Sequence, residues 1–239
     1  MISCVIPARF NSSRFPGKLL AKTIKNKTVL RHTFEAAQAC SSIGALFVAT
    51  DDERIAEHVE QMGGEVIWTS PECVNGTERI KEAVAKDARL RDAQYIVNLQ
   101  GDHPMVLPAT IDAIVAALRR DDTAVLSTAA TPIRHMADYL SPHVVKCVFD
   151  HSFNALYFSR SPIPYNGMET RLAHAHIGVY CYRTSYLLRT FAATPLQKTE
   201  DLEQLRVLEN GDRIKIAIVQ EPLIGVDTVD DLVKLNGLL

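Results

Sequence analysis

The sequence has no closely spaced cysteine pair: Cys4, Cys40, Cys73, Cys147 and Cys181 are widely scattered and odd in number. That gives neither a zinc knuckle nor a disulfide framework, and free thiols are expected. Cys4 and Cys147 fall inside apolar runs, where cysteine acts as a small buried hydrophobe. An excess of one charge is also missing, since 26 Lys and Arg against 28 Asp and Glu leave a net −2. Without a broadly basic surface, no nucleic-acid partner is expected. No apolar stretch approaches the ~20 residues that span a bilayer, and no basic segment precedes the short apolar run at the N-terminus. The expectation is a cytoplasmic protein with no membrane insertion. A P-loop, an internal repeat and low-complexity segments are absent as well.

What is present is a chain of 239 residues, 47% of them hydrophobic, long enough to bury a substantial core. Strand-like runs at 5–6, 46–49, 65–68, 95–99 and 125–130 alternate with helical spacing at 28–40, 53–62, 77–86 and 108–119. Thr28, Asp51 or Asp52, and Pro108 mark helix starts, and Gly63-Gly64 marks a stop. This rhythm predicts an α/β fold with a mostly parallel sheet and helices on both faces. After residue 131 the rhythm changes to strands at 144–149, 155–158 and 177–181, with helices at 184–191 and 200–209. A strand at 214–219, a loop at 221–225 and a helix from Thr228 close the chain. We therefore expect a nucleotide-binding core of 1–130 and 212–239 and a smaller mixed lobe of 131–211, within one domain.

In open α/β sheets ligands collect beyond the carboxyl ends of the strands. The first such loop carries Arg9, Ser13, Arg14, Gly17 and Lys18. Its forked and point cations suit polyphosphate, and the other reading is a solvated basic loop. Asp102, in Gln100-Gly101-Asp102-His103, and Asp227, in Gly225-Val226-Asp227-Thr228, each place a carboxylate at a strand end. Together with phosphate oxygens and water they would suit Mg²⁺, or each could cap a helix. Asn75-Gly76-Thr77-Glu78-Arg79 could read a base edge or open a capped helix. In the second lobe Arg160, His174, His176, Tyr180, Glu203 and Gln204 bring polar groups onto otherwise buried elements. His174 and His176 lack the further ligands that a zinc site requires.

In this order the loops resemble the 3-deoxy-manno-octulosonate cytidylyltransferase family, the CMP-KDO synthetases of lipopolysaccharide precursor synthesis. The resemblance rests on Ile6-Pro7-Ala8-Arg9 with Ser13-Arg14-Phe15-Pro16-Gly17-Lys18, on Ala49-Thr50-Asp51-Asp52, and on Asn75-Gly76-Thr77-Glu78-Arg79. It continues through Asn98-Leu99-Gln100-Gly101-Asp102, Val145-Lys146-Cys147-Val148-Phe149-Asp150 and Ala155-Leu156-Tyr157-Phe158-Ser159-Arg160. His176-Ile177-Gly178-Val179-Tyr180, Glu203-Gln204-Leu205-Arg206-Val207-Leu208 and Gly225-Val226-Asp227-Thr228 complete it over nearly the whole chain.

The resemblance implies a Rossmann-like sheet of the nucleotide-diphospho-sugar transferase type, a sugar-binding lobe that also forms a homodimer contact, and Mg²⁺ as cofactor. It implies that the enzyme transfers CMP from CTP to 3-deoxy-D-manno-octulosonate. Arg9, Arg14, Lys18 and Asp102 would be catalytic, with Pro7, Ala8, Arg9, Ser13, Arg14, Lys18, Asn75, Gly76, Thr77 and Arg79 binding the nucleotide. Gln100, Arg160, His176, Tyr180, Glu203 and Gln204 would contact the sugar acid, and Asp102 and Asp227 would hold the metal. The chain departs from the family in having His103 where an acidic residue usually follows the metal-binding Asp, which leaves a KDO analogue such as an amino-substituted octulosonate open as acceptor. The rival CMP-sialic acid synthetases carry a Gly-Gly-Ser-type string in place of this basic loop.

Overall fold

The structure is a computed structural model that describes residues 1–239 except 13, 190–191 and 221–224. The expected loop at 221–225 and the end of the expected helix at 184–191 therefore lie largely outside the described residues. The chain divides into two compact units: 1–112 with 183–188 and 223–239, and 113–182 with 189–222.

The first unit begins with β1 (Ile2–Ala8), α1 (Val29–Gln38), β2 (Ala45–Thr50), α2 (Glu53–Gln61) and β3 (Glu65–Trp68). It continues with α3 (Gly76–Lys86), α4 (Ala88–Arg91), β4 (Tyr95–Asn98) and the start of α5 (Pro108–Arg119). All neighbouring strands among β1 to β4 are parallel, in the order β3-β2-β1-β4. β1 is buried along its whole length, as expected for a strand covered on both faces. The helix starts follow local chemistry. Thr28 accepts from the Arg31 amide, and Asp52 from the Arg54 amide, each satisfying a donor that the helix leaves unpaired. Gly63 after α2 has a φ of 76°, the left-handed conformation that ends helices and that glycine adopts without strain.

The second unit holds β5 (Ala124–Pro132), α6 (Met136–Leu140), β6 (Lys146–Phe149), β7 (Ala155–Ser159) and β8 (His174–Arg183). After α7 (Thr184–Leu187), which groups with the first unit, come α8 (Pro195–Glu200), α9 (Leu205–Glu209) and β9 (Arg213–Ile218). The last helix, α10 (Val229–Asn236), returns to the first unit. β5 pairs antiparallel with β8 and parallel with β9, while β6 pairs antiparallel with β7 and β8. The helix expected over 200–209 is two helices, because Asp201 adopts a left-handed φ of 53° between them. Packing groups β5 and β9 with the second unit, whereas the sequence rhythm assigns 124–130 and 212–218 to the core. The reason is pairing: β5 has β8 on one edge and β9 on the other.

No helix among the described residues is long and apolar enough to cross a membrane.

Candidate active site

The parallel sheet of the first unit puts the ends of β1, β2, β3 and β4 along one edge, so the loops that leave them converge. Beyond β1 the chain enters the basic loop. Gly17 turns it with a φ of 72°, its amide donates to the Phe10 carbonyl at 2.9 Å, and a Cβ there would lie 3.0 Å from the Phe10 ring. Both the conformation and the close approach call for glycine. The Arg54 guanidinium stacks on the other side of this loop, 3.3 Å from the Phe10 ring centroid. A short 3-10 turn follows and points Lys18 inward.

Lys18 Nζ donates to Asp102 Oδ2 at 2.5 Å and to Asp227 Oδ1 at 2.9 Å. Arg14 Nη2 lies 3.1 Å from Asp227 Oδ2. The Lys18 side chain is only 13% exposed, against 60% for Arg14, so the innermost charges are the ones least screened by water. Burial works against the Lys18 charge, but Asp102 and Asp227 outweigh it and raise the pKa. Burial likewise opposes ionisation of Asp102, yet the charge that His103 carries in acid, the charge of Lys18 and the Lys18 hydrogen bond hold the carboxyl below its ordinary value.

His103 is largely covered, its side chain 13% exposed, with Nε2 3.8 Å from Asp102 Oδ1. Burial pulls its pKa down more than Asp102 pulls it up. Near neutrality the ring is uncharged, and Lys18 is then the cation that keeps Asp102 ionised. Gly225 passes beside the imidazole, where a Cβ would stand 3.5 Å from the ring.

Asp227 does not cap the helix that follows it. Thr228 is the N-cap of α10, in a reciprocal capping box with Asp231, which leaves the Asp227 carboxylate to Lys18 and Arg14. Asn75 does cap, accepting from the Glu78 amide at 2.9 Å. It also lines a cavity of about 250 Å³ together with Pro7, Ala8, Arg9, Arg14, Lys18, Gly76, Arg79, Gln100, Asp102 and Asp227. A Cβ on Gly76 would lie 3.2 Å from Pro7 and 3.3 Å from Gln100, so the absent side chain leaves this corner to backbone. Arg9 is exposed. Thr77 is buried in α3, and Ser13 lies outside the described residues.

Arg79 is more constrained than its motif suggests. Its guanidinium is buried, 3.0 Å from Asp51 Oδ1 and 2.5 Å from Thr69 Oγ1. Asp51 and Thr69, which the sequence reading did not single out as partners, pin it in place. The signal available was the Asp51-Asp52 pair at the end of β2, one member of which the helix cap does not need.

Two carboxylates aimed at one ammonium form a centre that already accepts a cation. Among the described residues no cluster of three or more His, Cys, Asp and Glu side chains gathers to hold a metal. A site complete in protein ligands is therefore not built there. Mg²⁺, which keeps waters and takes one or two carboxylates alongside substrate phosphates, fits such a donor set.

In the second unit, His176, Tyr180 and Gln204 come together. Gln204 Nε2 lies 3.4 Å from His176 Nδ1, and the Tyr180 hydroxyl donates to Gln204 Oε1 at 3.3 Å. Burial pushes the Tyr180 phenol well above its ordinary pKa, so it remains a donor. Arg160 is held at the Glu200 backbone, its Nε donating to the carbonyl at 2.8 Å, while its own amide donates to the Glu200 carboxylate at 2.8 Å. Glu203 neighbours Gln204 at the start of α9. His174 Nδ1 donates to the Leu172 carbonyl at 2.9 Å and its ring packs on Phe149, a structural role. Lys146 is fully buried, with Nζ donating to the carbonyls of Ser141, Val144 and Arg160. A lysine inside an apolar strand run was the visible sign of it.

The chain is similar to several known proteins. The cytidylyltransferase family model matches residues 3–216. A 3-deoxy-manno-octulosonate cytidylyltransferase of Protochlamydia amoebophila is 45% identical, over 98% of this chain and 93% of its own. An 8-amino-3,8-dideoxy-manno-octulosonate cytidylyltransferase of Shewanella woodyi is 43% identical, over 97% of this chain and 95% of its own. A solved CMP:2-keto-3-deoxy-manno-octonic acid synthetase complexed with CTP superposes with a TM-score of 0.92 at 35% identity, covering 99% of this chain and 97% of that one.

Proposed function

The chain belongs to the 3-deoxy-manno-octulosonate cytidylyltransferase family, and from that premise we propose that it transfers CMP from CTP to the anomeric hydroxyl of 3-deoxy-D-manno-octulosonate. The product feeds lipopolysaccharide synthesis. The observation that carries this reading is the meeting of Lys18 and Arg14 with Asp102 and Asp227 in a cavity walled by Pro7, Ala8, Asn75 and Gly76.

The hydroxyl oxygen of the acid attacks the α-phosphorus in line. An O–P bond forms, the bond from the α-phosphorus to the bridging oxygen breaks, pyrophosphate leaves and the hydroxyl proton is released. No covalent enzyme intermediate is required. Arg9, Arg14 and Lys18 bind the phosphates and offset the negative charge that accumulates on their oxygens. Lys18 is the counter-charge that Asp102 and Asp227 share in the free chain, and an incoming triphosphate competes for that ammonium. Asn75, Gly76 and Thr77 surround the nucleotide, while Arg79, fixed by Asp51 and Thr69, presents a rigid wall. Asp102 and Asp227 would hold Mg²⁺, which supplies positive charge against the phosphate oxygens. In the second unit Arg160, His176, Tyr180, Glu203 and Gln204 receive the sugar acid.

The active form is a homodimer in the cytoplasm. In the homodimer reading, the large apolar side chains left exposed in the second unit, among them Leu140 at 59%, Leu156 at 61% and Tyr165 at 91%, are the ones a partner would cover.

The similarity to an amino-sugar enzyme at 43% identity favours one second reading, with 8-amino-3,8-dideoxy-manno-octulosonate as acceptor. Measuring CMP-sugar formation from both acids decides between them. The primary reading requires kcat/KM for the 3-deoxy acid to be roughly ten-fold higher or more, and the reverse ranking would transfer the acceptor assignment to the amino sugar.

A further inference from the structure

Thr128 lies on β5 and is fully buried. Its hydroxyl oxygen is 2.9 Å from the Ile177 carbonyl and 2.8 Å from the Val179 carbonyl, and 2.9 Å from His176 Nε2. The two carbonyls come within reach because the β5–β8 register shifts beside Thr128, where Tyr180 and Ile177 of β8 are paired to the successive residues Thr128 and Ala129. A hydroxyl has one proton and can donate it once, whereas carbonyl oxygens only accept. Set between two carbonyls, the Thr128 proton goes to them. Towards His176 the oxygen can then only accept, and so Nε2 must carry a hydrogen.

That polarity propagates. A neutral imidazole protonated at Nε2 has its lone pair at Nδ1. The Gln204 group facing Nδ1 at 3.4 Å is therefore its NH₂, which turns Gln204 Oε1 towards the Tyr180 hydroxyl at 3.3 Å. The Tyr180 phenol, held protonated by burial, has the proton that this last bond needs. Phe158 packs edge-on against the His176 ring with centroids 4.9 Å apart, which limits its rotation. The outcome is one direction of donation, from Tyr180 to Gln204 to His176 to Thr128 to the β8 backbone. The second N–H of Gln204 and the free lone pair of the Tyr180 oxygen remain for a polyhydroxy acid.

We propose that Thr128 is a positioning residue of the acceptor site, one that fixes His176 as the Nε2–H tautomer and so sets the hydrogen-bond polarity of Gln204 and Tyr180. The proposal rests on the reading that these three side chains receive the sugar acid.

The test combines ¹⁵N NMR of the His176 ring, assigned by comparison with His176→Gln, with steady-state kinetics of wild type, Thr128→Val, Thr128→Ala and Thr128→Ser. Wild type and Thr128→Ser should show a protonated Nε2 and an unprotonated Nδ1, with similar KM values. In Thr128→Val and Thr128→Ala the tautomers should mix and KM for the acid should rise about ten-fold, as expected when a buried donor loses its partner, while KM for CTP stays within two-fold. An Nδ1–H tautomer in wild type would overturn the proposal without recourse to any variant, as would an unchanged tautomer in a folded Thr128→Val or Thr128→Ala. A changed tautomer with an unchanged KM for the acid would instead overturn the placement of the acid on these residues.

Discussion

Lys18 is the residue on which the charges of the site balance, because its ammonium is shared between two carboxylates and is nearly enclosed. Truncation removes the cation proposed to bind phosphate and leaves the half-buried, ionised Asp102 without its nearest counter-charge. Lys18→Ala is expected to lower kcat by about 10²–10³-fold, and turnover within a few-fold of wild type would remove Lys18 from the chemistry. Asp102→Asn should abolish turnover and CTP-dependent Mg²⁺ binding while circular dichroism stays native. His103 is a different case. Largely covered and neutral near pH 7, it adds no negative charge beside Asp102, and the proposed Mg²⁺ would take only two carboxylates alongside phosphate oxygens. Wild type should accordingly bind Mg²⁺ with CTP at millimolar metal. Binding that appears only in His103→Glu would show that a third carboxylate is needed.

The sequence leaves some of these residues ambiguous for physical reasons. Asp227 and Thr228 are adjacent and both can cap a helix, so only the geometry shows that Thr228 takes that task and frees Asp227. Asn75 caps α3 and also lines the cavity, so its capping does not exclude a part in binding. The Gly225 backbone that passes beside His103 lies more than a hundred positions away and beyond any local pattern.

At the scale of elements, the loop after β1 owes its shape to Gly17, Phe10 and Arg54 acting together. Gly17→Ala forces a side chain into a left-handed φ of 72° and against the Phe10 ring, at a cost of roughly 1–2 kcal/mol in backbone strain. The melting temperature should fall by about 2–8 °C, with KM for CTP raised as Lys18 and Arg14 lose their placement. A variant with native melting and native KM would show that the turn tolerates other conformations. The long alternating strands and helices of the first unit were legible because their periodicity spans whole elements and their caps are strong. α4 and α6 were not, since four or five residues are too few to display a helical period. The division of 200–209 turned on one residue, Asp201, adopting a conformation that its type permits but does not demand.

At the scale of the whole molecule, the α/β class, the parallel strands of the first unit and the loops that converge on the cavity follow from alternation and from the rule that strand ends collect ligands. Which strands pair in the second unit does not follow from alternation. β9 joins β5, about ninety positions earlier in the chain, through contacts that no local pattern encodes. The Thr128 network is hidden for the same reason, as it needs β5, β8 and α9 in register.

The central claim is tested most directly by following pyrophosphate release from the purified protein given CTP, Mg²⁺ and 3-deoxy-D-manno-octulosonate, with each component omitted in turn. Release that needs all three is the predicted result. No release from the complete mixture, with CTP binding confirmed and the 8-amino acid equally inactive, would contradict the assignment of a cytidylyltransferase reaction to this site.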